Sequence, residues 1–103
     1  MSLETKIEDG DFYVYKITYP NGKIYIGMDI SKNANLNRWT YFGSLSEAGK
    51  RRLCIDLADY DTITVTKEIL FTSPIKEDVK MKESELIAAC GATDSRIGYN
   101  LKK

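Results

Sequence analysis

One carboxylate, Glu83, is spaced among apolar side chains in a way that indicates chemistry. A helix is predicted from Pro74 to Cys90, and at about 100° per residue its apolar side chains all lie within about 80° of Glu83. These side chains are Ile75, Val79, Leu86, Ile87 and Cys90. An ionised carboxylate in a core-facing stripe is costly unless it meets a cation or a metal ion. The pattern therefore predicts an inward-facing acid near the middle of this stripe.

Two interpretations of Glu83 remain open at this point. It could form a buried ion pair with a lysine or arginine, or reach solvent at the edge of the apolar stripe. Alternatively, it could bind a divalent metal ion at the floor of a cleft. A single carboxylate is sufficient for Mg²⁺, because this ion keeps much of its water shell.

The chain contains no histidine, and this restricts the acid–base chemistry that it can perform. Histidine-based triads and histidine zinc sites are excluded. Proton transfer must fall to tyrosine, lysine, carboxylate or metal-bound water. Tyrosine, with an ordinary pKa of ~10, is a weak base at neutral pH, so a nearby cation would have to lower its pKa. Lys16, Lys23 and Arg38 are the candidate cations.

Seven tyrosines are available, and several fall on a predicted hairpin. Residues 12–19 and 23–28 are rich in aromatic and β-branched side chains, which is typical of strands. Between them, Pro20 fits the second position of a type I turn and Gly22 fits the left-handed position that follows. The sequence therefore predicts a hairpin closed by a three-residue loop.

The loop length decides which tyrosines share a face of the sheet. A three-residue loop pairs Ile17 with Tyr25 and Tyr15 with Gly27, so that Tyr15 and Tyr25 lie on one face with Tyr13. A two-residue loop would place Tyr15 and Tyr25 on opposite faces. We favour the first register because it makes use of the proline in the turn.

The remaining elements are predicted from caps and periodicity. We expect a short helical turn over residues 36–41, a helix capped by Ser44 that continues to Asp59, and a strand over residues 62–71. A second helix is expected with Ser73 as its cap, Pro74 in its first position and its end at Gly91, followed by a short strand over residues 99–101. Length fits a single domain over residues 11–103, after a flexible N-terminus of residues 1–10.

Charge and cysteine content bear on partners and compartment. The 15 basic and 15 acidic residues cancel, which weighs mildly against a stand-alone nucleic-acid binder, although a local patch matters more than the sum. Lys50, Arg51 and Arg52 form such a patch, either as a solvated helix face or as phosphate contacts.

Cys54 and Cys90 lie outside any CxxC pair, and we expect reduced core thiols in a cytoplasm. The sequence contains no run of 18 apolar residues, so it predicts no membrane-spanning helix.

Five short segments, taken in order, resemble the motifs of the GIY-YIG nuclease family. Tyr13-Val14-Tyr15 and Tyr25-Ile26-Gly27 are similar to the two motifs that name it, although Tyr13 replaces the first glycine. The later segments are Arg38-Trp39, Glu83 with Ile87 four positions on, and Gly98-Tyr99-Asn100. Their order covers nearly the whole chain, and they include the same glutamate that helix geometry selects.

The resemblance implies a fold, an activity and a site. The fold is α+β, a three-stranded antiparallel sheet flanked by helices, which agrees with the predicted elements. The activity is metal-dependent hydrolysis of DNA phosphodiester bonds by an endonuclease like those of phages or mobile elements, with one Mg²⁺ or Mn²⁺ ion. The implied site residues are Tyr15 and Tyr25 as active-site tyrosines, Arg38 on the phosphate, Tyr41 where the family has histidine or tyrosine, Glu83 on the metal and Asn100 in support.

The partners follow from the same resemblance. DNA is the expected substrate, with Lys16 and Lys23 joining Lys50, Arg51 and Arg52 as weaker candidates for DNA contact. Many members of the family carry a separate DNA-binding module, so a homo-oligomer or a recruiting partner protein is an alternative way to select a target. We expect the cytoplasm of a bacterial or phage-infected cell. The competing interpretation is a catalytically inactive module of the same fold that binds DNA or protein.

Overall fold

The computed structural model describes residues 11–101 and has an α+β fold. A three-stranded antiparallel sheet in the order β2-β1-β3 carries helices on both faces, as the sequence predicts. The elements are β1 (Phe12–Thr18), β2 (Ile24–Asp29), α1 (Ala34–Asn37), α2 (Glu47–Asp56), β3 (Thr66–Ser73) and α3 (Lys76–Cys90). The expected flexibility of residues 1–10 lies outside the described residues.

The hairpin of β1 and β2 forms in the register that the turn favours. Ile17 pairs with Tyr25 and Tyr15 pairs with Gly27. The loop closes through a hydrogen bond from the Tyr19 amide to the Lys23 carbonyl, 2.9 Å long. Because residues that pair directly share a face of the sheet, the tyrosines of β1 and β2 point to the same side.

The sheet separates two hydrophobic clusters. On one face, which we call the aromatic face, the buried side chains are Tyr13, Tyr15, Ile17, Tyr19 and Tyr99, with residues of α2 packed against them. On the other face, Val14 and Ile26 pack against Val79 of α3 and Ala92 just beyond it. The alternation of β1 thus divides the molecule into two layers, each covered by its own helix.

Helix α2 starts later and ends earlier than predicted. Ser46, not Ser44, is its N-cap, and its Oγ accepts a hydrogen bond from the Gly49 amide at 3.1 Å. The predicted capping box of Ser44 and Glu47 is wrong because Ser44 is used elsewhere, as a partner of two tyrosines. The helix ends at Asp56, three residues before the expected Asp59.

Helix α3 also begins beyond its predicted cap. Ser73 belongs to β3, where it pairs with Phe12, so the chain stays extended and the helix starts at Lys76. The prediction of Pro74 in the first helical position is therefore wrong. Ile75, expected in the buried stripe, is 53% exposed for the same reason. The predicted end is confirmed, since Gly91 adopts a left-handed conformation with φ of 68°.

The other boundaries differ more modestly. Strand β3 lies over Thr66–Ser73 and not over residues 62–71, and its pairing with β1 is shifted between Val14 and Tyr15. The turn expected at residues 36–41 is a four-residue helix, Ala34–Asn37. The strand expected over residues 99–101 does not form, and a single parallel bridge joins the preceding Gly98 to Ile24.

Both cysteines are free, but Cys54 is exposed and not in the core. Nowhere in residues 11–101 is a helix long and apolar enough to cross a membrane.

Candidate functional site

The aromatic face brings the predicted tyrosines together. The Tyr15 ring lies at its centre, with centroid distances of 5.9 Å to Tyr13, 6.2 Å to Tyr25 and 6.1 Å to Tyr41. Tyr13 and Tyr15 are fully buried, whereas Tyr25 and Tyr41 are half-buried. Only the outer pair can therefore present a ring or hydroxyl to a ligand.

Two glycines make room for the Tyr15 hydroxyl. A Cβ atom on Gly27 would come within 2.4 Å of this oxygen, and one on Gly43 would lie 3.2 Å from it. The hydroxyl is buried and forms no hydrogen bond with the other residues that the structure describes. Burial, followed by the neighbouring Tyr25 and Tyr41, raises the pKa of Tyr15 far above its ordinary value.

Ser44 links the two outer tyrosines. The Tyr25 hydroxyl donates to the Ser44 carbonyl at 3.1 Å, and the Tyr41 hydroxyl forms a short hydrogen bond with Ser44 Oγ. The segment that carries Tyr41 and Ser44 thereby covers the aromatic face. The hydroxyl of Ser44 fulfils this tertiary role instead of capping a helix.

Glu83 is half-buried on α3, and burial raises the pKa of its carboxyl group. It forms no ion pair and no hydrogen bond with any side chain in residues 11–101. Its negative charge helps raise the pKa of Tyr25, after the larger effects of burial and Tyr41. The carboxylate therefore lies within electrostatic range of the Tyr25 hydroxyl and has no cation partner among residues 11–101.

The sheet lies between most of α3 and the tyrosines. Helix α3 packs on the face of Val14 and Ile26, opposite to Tyr13 and Tyr15. Tyr25, on the edge strand β2, is the hairpin tyrosine whose pKa responds to the charge of Glu83. Tyr15 is separated from α3 by its own strand.

A cleft of about 280 Å³ opens at this edge of β2. It is lined by residues from both layers, namely Tyr25, Ser44, Ser46, Ile87, Thr93, Tyr99, Asn100 and Leu101. Ile87 lies one helical turn beyond Glu83, so the acid is next to the cleft wall. Tyr25 lines the β2-edge cleft, whereas Glu83 lies beside it, one turn before Ile87, and does not line it.

Asn100 fixes the wall of the β2-edge cleft. Its Oδ1 accepts from the Ile26 amide at 2.8 Å, and its Nδ2 donates to the Ile26 carbonyl at 2.7 Å. The side-chain amide thus makes the pair of bonds that a neighbouring strand would make with β2. A role in supporting the site by hydrogen bonding, as the motif implies, is compatible with this geometry.

Arg38 lies at the other end of the aromatic face. Its guanidinium carbon is 5.5 Å from the centre of the Tyr13 ring, and its Nη2 donates weakly to Asn35 Oδ1 at 3.4 Å. Its Nε is buried and has no hydrogen-bond partner among residues 11–101. Arg38 is therefore separated from Tyr25 by Tyr13 and Tyr15, although it keeps donors for an anion.

A buried carboxylate, Asp29, anchors the connection that carries Arg38. Its Oδ1 accepts from the amide and the hydroxyl of Ser31, and its Oδ2 accepts from Asn37 Nδ2 at 3.0 Å. Burial alone would raise the pKa of Asp29, but these hydrogen bonds and the charge of Lys67 hold it below its ordinary value. Asp29 stays ionised and organises the chain after β2.

Lys67 is the functional candidate that the sequence did not reveal. Its Nζ lies 5.0 Å from the Tyr13 ring centre, 4.7 Å from Tyr15, 5.9 Å from Tyr41 and 5.7 Å from Phe42. Burial lowers its pKa to about 8, with Asp29 acting in the opposite direction and Arg38 adding to the shift. The strand pattern contains this information, because Lys67 lies two positions before Ile69 on β3 and therefore shares its inward face. Lys67 is thus a charged residue on an inward face, as Glu83 is on its helix.

Most of the predicted DNA-contact residues already have acidic partners. Lys16 pairs with Glu68 at 3.3 Å, Lys23 with Asp56 at 2.6 Å, and Arg52 with the same Asp56 at 3.4 Å. Lys50 forms an exposed pair with Glu47 at 3.7 Å. Arg51 is exposed on α2 and takes part in none of these pairs.

The chemistry around Glu83 fits one water-rich cation better than a protein-caged ion. Within residues 11–101, no group of three or more histidine, cysteine or acidic side chains is arranged to hold a metal. A hard divalent ion such as Mg²⁺ needs only one or two carboxylates, because water and substrate phosphate complete its shell. Glu83 supplies one unpaired carboxylate at a cleft, which is compatible with that kind of site.

Comparisons with known proteins do not identify a family: no family model, no curated protein and no solved structure matches the chain. The resemblance to the GIY-YIG motifs therefore remains a prediction. The functional interpretation depends on the geometry of the site and on the order of those motifs.

Proposed function

We propose that this chain is a divalent-metal-dependent DNA endonuclease of the GIY-YIG type, which hydrolyses phosphodiester bonds in a bacterial or phage-infected cytoplasm. The observation that carries the proposal is the half-buried carboxylate of Glu83, which has no cation partner in residues 11–101 and lies within electrostatic range of Tyr25. A buried acid without a cation is costly, and a bound metal ion would remove that cost. The order of the five motifs supports the same assignment.

Glu83 would hold the ion, with Mg²⁺ or Mn²⁺ as the candidates. When bound, such an ion neutralises charge on a phosphate oxygen and on the leaving oxygen. Tyr25 and the amide of Asn100 lie on the wall of the adjacent cleft, where the substrate phosphate would bind. These side chains can orient the phosphate and the attacking water by hydrogen bonds.

Tyr25, not Tyr15, is the better candidate to accept a proton from water. The Tyr15 hydroxyl is sealed beneath Gly27 and Gly43, whereas Tyr25 lines the β2-edge cleft. The pKa of Tyr25 is raised, partly by the charge of Glu83. Neutralising that charge removes one cause of the shift, so a loaded site would favour deprotonation of Tyr25 more than an empty one.

Arg38 and Tyr41 would act from the far side of the same face. The planar guanidinium matches a phosphate in two-point contact, and Arg38 Nε, which is buried, has no hydrogen-bond partner among residues 11–101. Tyr41 is tied to the cleft through Ser44. We assign these two residues to binding the DNA backbone beside the scissile bond.

A nicking assay tests the proposal. Supercoiled plasmid is incubated with the wild type, Glu83→Gln and the matched control Glu85→Gln, with and without Mg²⁺ or Mn²⁺. We expect nicking only with metal, a loss of at least about 100-fold in Glu83→Gln, and wild-type rates in Glu85→Gln, whose side chain is exposed on the same helix.

The other outcomes separate the alternatives. Cleavage that persists in Glu83→Gln, or that needs no metal, contradicts the assignment of Glu83. DNA binding without any cleavage under these conditions favours the non-catalytic binding module.

A further inference from the structure

We propose that Lys67 is a positioning residue, whose ammonium group holds the segment of residues 41–44 on the aromatic face and so keeps Tyr41 and Tyr25 in place beside the β2-edge cleft. The inference rests on the proposed function for its consequence in cleavage. The contact between Lys67 and the segment does not depend on it.

The first step is a continuous chain of hydrogen bonds across the sheet. Lys67 Nζ on β3 donates to the Tyr41 carbonyl at 2.5 Å. The Tyr41 hydroxyl bonds to Ser44 Oγ, and the Ser44 carbonyl accepts from the Tyr25 hydroxyl of β2 at 3.1 Å. The chain therefore connects the two outer strands over the central one.

The second step is that residues 42–45 are held by side-chain contacts and not by a backbone ladder, with Leu45 packed against the aromatic cluster. They belong to no helix or strand, and no backbone hydrogen bond outside the regular elements involves residues 42–45. Gly43 has φ of 104° and lies directly against the Tyr25 and Tyr15 rings. Among residues 11–101, the polar contacts of the 41–44 segment are therefore those of Tyr41 and Ser44, added to the packing of Gly43 and of the adjoining Leu45.

The third step concerns the charge on Lys67. The groups that face it are Tyr13 and Tyr15 from β1, Asp29 at the end of β2, and Arg38 and Tyr41 from the connection after β2. Its pKa is lowered to about 8, whereas the pKa values of Tyr13 and Tyr15 are raised above their ordinary value. As the pH rises, Lys67 thus loses its proton before these two tyrosines do.

Loss of that proton weakens the contact, because a hydrogen bond from an ammonium is roughly twice as strong as one from a neutral amine. The segment should therefore loosen near pH 8, and cleavage should fall in the same range. The decline would come from Lys67 and not from ionisation of a tyrosine.

The first experiment needs no cleavage. Near-ultraviolet circular dichroism of the full chain reports the packing of the tyrosines and is followed from pH 6 to pH 10. The variants are Lys67→Arg, whose guanidinium stays charged, Lys67→Met, and the control Lys80→Met on the exposed side of α3. We expect a transition near pH 8 in the wild type and the control, and none below about pH 10 in Lys67→Arg.

Lys67→Met should give the alkaline form of the spectrum at every pH, with a far-ultraviolet spectrum that shows a folded protein. A wild-type signal that stays flat through pH 8 overturns the proposal. So does a transition of equal midpoint in Lys67→Arg.

The second experiment measures plasmid nicking with the same variants. We expect kcat to fall about 10-fold or more in Lys67→Met, with a smaller rise in KM for DNA because Tyr41 also moves, and the alkaline decline to move upward in Lys67→Arg. If the dichroism behaves as expected and the wild type does not nick DNA, the proposed function fails while the role of Lys67 stands. If the wild type nicks DNA with no decline near pH 8, the role of Lys67 fails alone.

Discussion

At the scale of single residues, Glu83 and Lys67 pose the same physical problem with opposite charge. Each is an ionisable group in a half-buried position, and burial shifts each pKa towards the neutral form. Lys67 is offset by a carbonyl, four aromatic rings and Asp29. Glu83 has no such compensation among residues 11–101.

The raised pKa of Glu83 predicts a dependence of stability on pH. The folded state binds the proton more tightly than the unfolded state, so stability falls as pH rises from the ordinary value of 4.5 through the raised value. Glu83→Gln removes this loss. Without metal, we expect the variant to melt at a higher temperature than the wild type at pH 7 and at a similar temperature at pH 4.

Thermal melts with and without Mg²⁺ provide the comparison. The ion should stabilise the wild type and Glu85→Gln, but not Glu83→Gln. Equal melting temperatures of wild type and Glu83→Gln at pH 7 would mean that the Glu83 carboxylate is solvated and that burying its charge does not destabilise the fold.

At the residue level, the helical period predicted the half-buried position of Glu83, whereas its role as a metal ligand stays a prediction. Glu83 stands out because seventeen consecutive residues could be projected onto one helix. Lys67 was missed because the strand was placed over residues 62–71, and an inward charge at its centre looked like an ordinary polar position. The contacts of Lys67 come from β1 and from the chain after β2, and no local pattern encodes them.

At the scale of elements, the hairpin, α2 and the segment after α3 meet at Asp56. This side chain accepts from Lys23 Nζ at 2.6 Å and from the Tyr99 hydroxyl at 2.8 Å. The Tyr99 hydroxyl also accepts from Asn21 in the hairpin turn. The hydrogen bonds from Lys23 and then Tyr99 hold the pKa of Asp56 below its ordinary value.

Asp56→Asn should therefore destabilise the fold. Removing the charge leaves Lys23, which is largely buried, without its anion, and a loss on the order of 2 kcal/mol in the free energy of unfolding is expected at pH 7. Because a lowered pKa gives stability that is lost as pH falls through it, the difference from wild type should shrink at pH 3.

Urea unfolding at the two pH values measures this difference, with Asp59→Asn, exposed just beyond α2, as the control. A difference that is as large at pH 3 as at pH 7 would show that packing, and not charge, is the cause.

Element boundaries were predictable where one residue fixes the backbone. Pro20 and Gly22 set the hairpin register, and Gly91 ended α3, because few residue types adopt these conformations. Caps were less predictable because Ser44 and Ser73 each had a competing use. Ser44 binds two tyrosines, and Ser73 continues a strand.

At the scale of the whole molecule, the balanced charge is reflected in local pairing. The 15 basic and 15 acidic residues leave few cations without an anion near the site. Lys16, Lys23 and Arg52 each have a close acidic partner, which leaves Arg38, Arg51 and Lys50, whose exposed pair with Glu47 spans 3.7 Å, as the main cations on the aromatic face and α2 that could contact DNA. Long-range attraction of DNA is correspondingly weak.

This pattern predicts a shallow salt dependence of DNA binding. About three phosphate contacts correspond to a slope of about −3 in a plot of log affinity against log salt concentration. Fluorescence anisotropy with a labelled duplex and the Glu83→Gln variant measures the slope without cleavage. Arg51→Gln should reduce its magnitude by about one, and a slope steeper than about −6 would mean that the acidic partners release their lysines on binding.

The segment that ends in Asn100 has a further consequence for self-association. By occupying the outer margin of β2, through Gly98 and the Asn100 amide, it leaves β3 as the free margin of the sheet in residues 11–101. Two copies that joined their sheets would meet along β3, back to back with respect to their clefts. Under the proposed endonuclease function, such a pair would engage two separate stretches of duplex and would be suited to bridging distant sites, not to cutting both strands at one position.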